Sequence, residues 1–144
     1  MSQPIELLSL HHVARTTRRL EASIAFYRDL LGFRVLPRPP FSFRGAWLYG
    51  GGIQIHLIEA PGGGEPLPID SRRDHIAFRI ADTDRALAVL RDAGIEVSER
   101  TNAGGIRQLF IRDPDGHQIE LAVVPDPQFG YGEGEFAEVA SPRE

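Results

Sequence analysis

Three absences narrow the chemistry available to this 144-residue chain. It contains no cysteine, which excludes disulfides, thiolate nucleophiles and cysteine-based zinc or iron–sulfur sites. All 16 of its basic residues are arginine and none is lysine, which excludes Schiff-base catalysis and a P-loop lysine. It also has no basic run that could neutralise the phosphates of a nucleic acid, and its formal net charge is −4.

Long apolar runs are missing as well. No window approaches the roughly 18 apolar residues that a membrane-spanning helix needs. The N-terminal stretch MSQPIELLSLHH lacks the basic flank and apolar centre of a signal peptide. Because 42% of the residues are hydrophobic and 25% are charged, the composition is that of an ordinary globular protein. We therefore expect a cytoplasmic protein that binds neither membranes nor nucleic acids.

The first half of the chain predicts one strand, one helix and three further strands. Apolar periodicity and turn residues place these elements as follows: a strand at 7–14, a helix that Thr16 or Thr17 caps and Gly32 ends, a short strand at 33–39, and two strands within 45–60 around the turn Gly50 to Gly52. A segment rich in Gly and Pro, residues 61–71, follows and predicts a linker.

The second half of the chain predicts the same order of elements again. They are a strand at 73–81, a helix at 82–94 with an Asp cap and a terminal Gly94, a strand at 95–100, and a hairpin at 106–124 that turns at Asp113 to Gly116. The C-terminal residues 125–144 are polar and Gly-rich, which predicts a loosely ordered tail.

Three landmarks support an internal repeat. His75 follows His12 by 63 residues, Glu120 follows His56 by 64, and the helix-ending Gly94 follows Gly32 by 62. The sequence therefore predicts an α+β protein whose single domain, residues 1–124, holds two tandem modules. Module one covers about 7–60, the linker 61–71 and module two about 72–124.

Ligand-type residues recur on one face of the predicted strands. Residues two apart on a strand share a face, so His56, His75 and Glu120 lie opposite the aliphatic or aromatic residues of their strands, whereas His12 shares its face with Leu10 and Ala14 and lies opposite Val13. The two amphipathic helices would cover the aliphatic faces. The remaining faces would carry three imidazoles and one carboxylate.

Glu120 lies between Ile119 and Leu121, where an ionised carboxylate costs several kcal/mol unless something pairs with it. A divalent ion shared with the three histidines is its only evident partner. Such an N/O set suits Fe, Mn, Co, Ni or Zn without choosing among them. A single histidine on a strand is most often a hydrogen-bonded structural residue, but four equivalent positions in a repeat favour a metal site.

Several segments together resemble the vicinal oxygen chelate superfamily. They are HHVA at 11–14, SIAFYRDLLGFRV at 23–35, IHLIE at 55–59, DHIAFRI at 74–80 and IRDPDGHQIEL at 111–121. This superfamily includes glyoxalase I, extradiol dioxygenases, methylmalonyl-CoA epimerase, fosfomycin-modifying thiol transferases and bleomycin-binding (bleomycin resistance) proteins. None of the motifs is specific for one of these activities.

The resemblance implies paired βαβββ modules that form an open, cup-shaped mixed sheet with helices on its outer face. It also implies one divalent metal ion, a small-molecule substrate and a homodimer, with each site either closed within one chain or built from both chains. The superfamily's ligand positions map onto His12, His56, His75 and Glu120. His56 departs from glyoxalase I, which has a Glu there, so Glu120 is left as the only carboxylate base.

Two function classes stay open. The first is a metal-dependent enzyme with glyoxalase-like lyase or isomerase chemistry, or alternatively extradiol-type ring cleavage, in which Glu120 is the catalytic base. The second is a metal-free protein that binds an antibiotic or another small molecule. As substrate-binding residues we predict Gln54, which shares the face of His56, and Arg44 and Arg107, which could hold a substrate carboxylate.

Overall fold

The computed structural model describes residues 3–61 and 66–128 and places them in two similar modules. Module one contains β1 (His12–Thr17), α1 (Leu20–Ala25) with a following π-helical turn (Phe26–Leu30), β2 (Arg34–Leu36), β3 (Gly45–Gly50) and β4 (Ile53–Glu59). Module two contains β5 (His75–Arg79), α2 (Thr83–Asp92), β6 (Ser98–Thr101), β7 (Arg107–Arg112) and β8 (Gln118–Ala122). Most of the predicted tail, residues 129–144, lies outside the described residues.

Each module forms one four-stranded mixed sheet. Sheet A has the order β1-β4-β3-β2 and sheet B the order β5-β8-β7-β6, so the two sheets have the same topology. In each, the first strand pairs parallel to the last and the other pairs are antiparallel. The predicted α+β fold with two tandem modules and open sheets is confirmed.

The two sheets share one hydrophobic core with the helices. Alternation along each strand sends every second side chain to the helix side. Sheet A contributes Leu48, Ile55 and Leu57, sheet B contributes Leu109, Ile111, Ile119 and Leu121, and the helical segments contribute Leu20, Phe26, Tyr27, Leu87 and Leu90. Because both apolar faces point into this core, the opposite face of each sheet is turned away from it, and we call these two faces the open faces.

The predicted strand at 7–14 is wrong in its position. β1 begins at His12 because its parallel partner β4 begins at Ile53, directly after the glycine turn, and His12 pairs with Gln54. The carbonyl of His11 still accepts a hydrogen bond from the N–H of Gln54 at 3.0 Å, but the described residues 3–10 belong to no strand. Four large apolar side chains of this segment are mostly exposed as a result, namely Ile5, Leu7, Leu8 and Leu10.

The start of the first helix was also predicted too early. Thr16 and Thr17 are the last residues of β1, and α1 begins at Leu20. The Thr17 hydroxyl still supports the helix start, because its Oγ1 accepts a hydrogen bond from the backbone N–H of Arg19 at 3.0 Å. Gly32 has φ +77°, as a helix-ending glycine should.

The second helix fits its prediction more closely. The Asp82 side chain caps it by accepting from the N–H of Arg85 at 3.0 Å, and Gly94 follows it with φ +71°. The strand predicted from residue 95 begins only at Ser98, because the N–H of Ile95 is still bonded to the carbonyl of Leu90. No helix within residues 3–61 and 66–128 is long and apolar enough to cross a membrane.

A polar contact and an apolar contact join the modules. In the polar one, the Tyr27 hydroxyl donates to Oδ2 of Asp113 at 2.8 Å, while Oδ1 of Asp113 accepts the N–H groups of Asp115 and His117, each at 2.9 Å. Burial raises the pKa of Asp113 above its ordinary value. In the apolar one, the rings of Phe33 and Phe78 meet edge to face with centroids 5.8 Å apart.

Candidate metal centre

On the open face of sheet A, three rings stack in a row across neighbouring strands. The centroids of His12 and His56 are 4.0 Å apart with nearly parallel planes, and those of Trp47 and His56 are 4.3 Å apart. This row follows from register, because Trp47 on β3 lies directly beside His56 on β4. The imidazole of His56 therefore has a ring against each face and offers only its edge to a ligand.

Gln54 fixes one edge of that imidazole. Nε2 of His56 lies 2.8 Å from the amide oxygen of Gln54, which only accepts, so Nε2 carries the proton and Nδ1 keeps a free lone pair. The pKa of His56 is lowered by burial and, to a smaller extent, by the nearby His12, His11 and Arg38. Both effects favour the neutral imidazole that a metal ion requires.

The two histidines that were not predicted as ligands, His11 and His117, occupy different surroundings. Nδ1 of His11 lies 2.9 Å from Nδ1 of His12, a hydrogen bond in which one ring donates and the other accepts. This contact was not predicted, because neighbouring residues on a strand face opposite ways and His11 precedes β1. His117 donates from Nε2 to the carbonyl of Thr16 at 2.9 Å and so links the modules.

On the open face of sheet B, His75 and Glu120 point at one another. Nδ1 of His75 donates to the carbonyl of Arg73 at 2.6 Å, so in the neutral ring Nε2 holds a lone pair. That Nε2 lies 3.4 Å from Oε1 of Glu120. Two acceptors this close need a positive charge between them or a proton on the ring. A divalent cation bound to both atoms satisfies the pair, which is the chemistry expected of metal ligands.

Glu120 has more partners than the sequence indicated. Only 8% of this residue is exposed, and its Oε1 also accepts a hydrogen bond from Nε2 of Gln108 at 3.0 Å. Phe110, its direct neighbour on β7, is fully buried and meets the ring of His75 edge on at 5.5 Å. The interpretation that an ion is the only partner of Glu120 is therefore wrong. This position of Gln108 could have been predicted from the sequence, because Gln108 precedes the core residue Leu109 on β7 and so lies on the opposite face of the strand, the face of Glu120.

The four predicted ligands form two pairs in this chain. Sheet A carries His12 and His56, sheet B carries His75 and Glu120, and each pair lies on a face turned away from the shared core. Among the described residues, no group of three or more His, Asp or Glu side chains is placed to hold one metal ion. Each pair thus supplies half of the predicted ligand set.

Of the three predicted substrate-binding residues, only Gln54 lies beside a ligand pair. Arg44 forms ion pairs with Glu21 and with Glu59, the latter at 2.9 Å. Arg107 pairs with Glu99 and with Asp84 of α2 at 2.8 Å, which places its side chain on the helix side of sheet B. The structure therefore does not bring Arg44 or Arg107 to the open faces.

The described chain also has an apolar cavity of about 780 Å³ on the helix side. Leu30, Phe33, Gly51, Phe78 and Val89 are among the residues that line it. None of the four candidate ligands does so. This cavity belongs to the apolar contact between the modules and lies apart from the open faces.

The chain is similar to proteins with more than one activity. Residues 9–121 match the family described as the Glyoxalase/Bleomycin resistance protein/Dioxygenase superfamily. Over 126 residues the chain is 40% identical to "Glyoxylase I 4" of Arabidopsis thaliana, covering 82% of this chain and 72% of that protein. Over 119 residues it is 31% identical to the glutathione transferase FosA of Serratia marcescens, covering 81% of this chain and 82% of that protein.

A solved structure shows the same fold. The crystal structure of a glyoxalase family protein from Bacillus anthracis superposes with a TM-score of 0.71, at 23% identity, and covers 84% of this chain and 98% of that one. The family match over residues 9–121 contains all four candidate ligands.

Proposed function

Because the chain belongs to the Glyoxalase/Bleomycin resistance protein/Dioxygenase superfamily, we propose that it is a metal-dependent enzyme with glyoxalase-like lyase or isomerase chemistry. Its substrate is a small molecule that binds the metal through two neighbouring oxygens. The observation that carries this proposal is the pair of Nε2 of His75 and Oε1 of Glu120, which face each other at 3.4 Å and which a divalent cation would satisfy.

The ligands of the ion are His12, His56, His75 and Glu120. The donor set fits a divalent transition metal, because three neutral imidazoles and one carboxylate leave positions open for water or substrate. When bound, the ion supplies Lewis-acid stabilisation of negative charge on a substrate oxygen. In glyoxalase I a Glu stands where this chain has His56, so here one carboxylate has to serve as the base.

Glu120 is that base, and its surroundings suit the role. The Gln108 amide holds Oε1 by a hydrogen bond, which fixes the direction of the carboxylate. Phe110 and the rest of β8 keep water from reaching it, since all five residues of β8 are buried. A carboxylate held in this way accepts a proton from substrate carbon more readily than a solvated one.

The active unit is a homodimer with sites shared between subunits. Each site combines His12 and His56 of one chain with the partner's His75 and Glu120, because the two pairs of one chain face away from its common core. β1 and β5 are free sheet edges that can approach across the dimer axis. The exposed apolar residues of segment 5–10 supply surface that such an association would bury.

Extradiol-type oxygenation is the alternative that the donor set allows. Two histidines and one carboxylate with open positions are the arrangement of non-haem Fe(II) oxygenases. Iron as the native ion, with oxygen consumption on catechols, would favour this alternative. A metal-free binding protein is the other alternative, and it predicts no metal at the His75–Glu120 pair.

Metal analysis of protein purified without chelators tests the proposal. We expect about one divalent ion per chain in the wild type, and a loss of metal affinity of about 10-fold or more in His75→Ala and Glu120→Gln. His117→Gln and Glu96→Gln are matched controls, because His117 contacts a carbonyl and Glu96 is exposed and pairs with Arg112. Protein without metal that still folds, or equal metal loss in the controls, would contradict the proposal.

A further inference from the structure

The open face of sheet A carries positive charge and no carboxylate. Strand alternation and register put the side chains of Arg34, Tyr49, Gln54 and His12 on this face in one row, and those of Leu36, Trp47 and His56 in the next. None of the strand residues on this face is an acid, although the whole chain has a net charge of −4. A face of this sign attracts an anionic ligand.

Arg38 is the best placed cation on that side. Its guanidinium carbon lies 4.8 Å from the ring centroid of Phe41 and 5.0 Å from that of Phe43, and its Nη2 donates to the carbonyl of Phe43 at 2.9 Å. Within residues 3–61 and 66–128, Arg38 forms no ion pair. Its other N–H groups are therefore available while the two rings and one hydrogen bond hold the group in place.

A continuous series of rings leads from Arg38 to the candidate metal ligands. The rings of Phe41 and Phe43 stack with centroids 5.2 Å apart, and Phe41 lies 6.0 Å from Trp47, whose ring stacks on His56. Phe41 and Phe43 are about 45% and 44% exposed, so this aromatic wall is open to a ligand.

From this arrangement we infer that the protein recognises a small aromatic anion, that is, an aromatic ring bearing a carboxylate or an equivalent anionic group. Arg38 pairs with the anionic group, and the wall of Phe41, Phe43 and Trp47 packs against the ring. This inference rests on the proposed function, because it assigns the substrate class of the same site. It differs from the predicted role of Arg44 and Arg107, whose charges are already paired with carboxylates.

Binding of three simple probes tests the inference. Phenylacetate carries both ring and charge, acetate only the charge, and phenylacetamide only the ring. Trp47 is the only tryptophan in the chain and lies in the wall, so its fluorescence reports binding directly. We expect phenylacetate to bind at least about 10-fold more tightly than either partial probe, because acetate lacks the ring packing and phenylacetamide lacks the ion pair.

Two arginine variants separate the specific anchor from general charge. Arg38→Met should weaken phenylacetate binding by about 10-fold or more and leave phenylacetamide binding unchanged. Arg34→Met is the matched control, because Arg34 lies on the same face over the Tyr49 ring but two strands away from His56. It should change phenylacetate binding by less than about 2-fold, the scale of screened surface charge.

The same titrations are run on as-purified and on chelator-treated protein, with metal content measured in both. Phenylacetate binding that needs Arg38 and persists without metal supports the inference even if no native metal is found, in which case only the proposed function fails. Full metal content with no phenylacetate binding up to about 10 mM overturns the inference alone. Equal losses in Arg38→Met and Arg34→Met, or equal binding of phenylacetate and phenylacetamide, also overturn it.

Discussion

The open faces of the two sheets have the same topology and different construction. On sheet B the ligand pair is enclosed: Glu120 is 8% exposed, and Gln108 and Phe110 hold and shield it. On sheet A the ligand pair is open, since His12 is exposed and the neighbouring aromatic wall reaches solvent. This difference in enclosure is consistent with the proposed function, in which sheet B holds the base and sheet A receives the substrate.

The two contacts between the modules also differ from each other, because one is polar and the other apolar. The hairpin turn of module two reaches module one through charged hydrogen bonds of Asp113 and Asp115, the latter accepting from Ser23 Oγ at 3.0 Å. The hairpin turn of module one meets module two through Gly51 and the ring of Phe78. A repeated fold has thus acquired one polar and one apolar junction, so the two junctions should respond differently to substitution.

Removing the base on sheet B should have the largest effect. In Glu120→Gln the shape is kept while the charge and the proton acceptor are lost, so turnover should fall by about 100-fold or more. The measurement is the rate on whichever thiohemiacetal or catechol the wild type converts fastest, with Glu96→Gln as the control. A Glu120→Gln protein with full metal content and full turnover would make Glu120 a structural residue.

Breaking the polar junction should cost stability. Asp113→Ala leaves the Tyr27 hydroxyl and the N–H groups of Asp115 and His117 without their acceptor in a buried place. We expect the free energy of unfolding in urea to drop by about 3 kcal/mol. Asp92→Ala on the exposed side of α2 is the control and should change it by less than about 0.5 kcal/mol. Equal values for both would mean that the polar junction contributes nothing.

Crowding the apolar junction should have a smaller effect. A Cβ at Gly51 would lie 2.9 Å from Cδ1 of Phe78, and Gly51 has φ +59°, so Gly51→Ala suffers both a clash and backbone strain. Gly52→Ala is a matched control, because Gly52 has φ +84° but open space around it. We expect unfolding free energies lower by about 2 and about 1 kcal/mol respectively. A loss of unfolding free energy in Gly52→Ala as large as that in Gly51→Ala would show that the Phe78 ring moves aside without cost.

The smallest effect is a dependence of stability on pH that Asp113 imposes. Burial raises the pKa of Asp113 in the folded protein above its ordinary value of 3.8. Between the ordinary and the raised pKa, the native chain therefore holds more protons than the unfolded chain. The contribution of Asp113 to the free energy of unfolding therefore falls with rising pH there and is constant above the raised pKa. Asp113→Asn should lack this falling component, whereas Asp92→Asn should retain it. Parallel pH profiles for wild type and Asp113→Asn would contradict the assignment.

The repeat made most of the fold predictable from the sequence. Alternation of apolar and polar residues, the glycine stops at Gly32 and Gly94 and the turn at Asp113 are local signals, and the structure confirms them. The position of β1 was not predictable, because it depends on where the partner strand begins. The aromatic wall was not predictable either, because Phe41 and Phe43 lie between β2 and β3, and Phe41 reaches Trp47 only in the folded chain. Pairing of Arg44 and Arg107 with acids depends on the helices packed beside them.

Mixing of subunits tests most directly whether each site is built from two chains. One variant carries His12→Ala and His56→Ala, the other His75→Ala and Glu120→Gln, and neither alone should bind metal. In a shared site, co-refolding the two should restore one intact site in each mixed dimer, or about a quarter of the wild-type metal per chain if the chains pair at random. Full loss of metal in the mixture, with mixed dimers demonstrated by mass, would contradict the shared site.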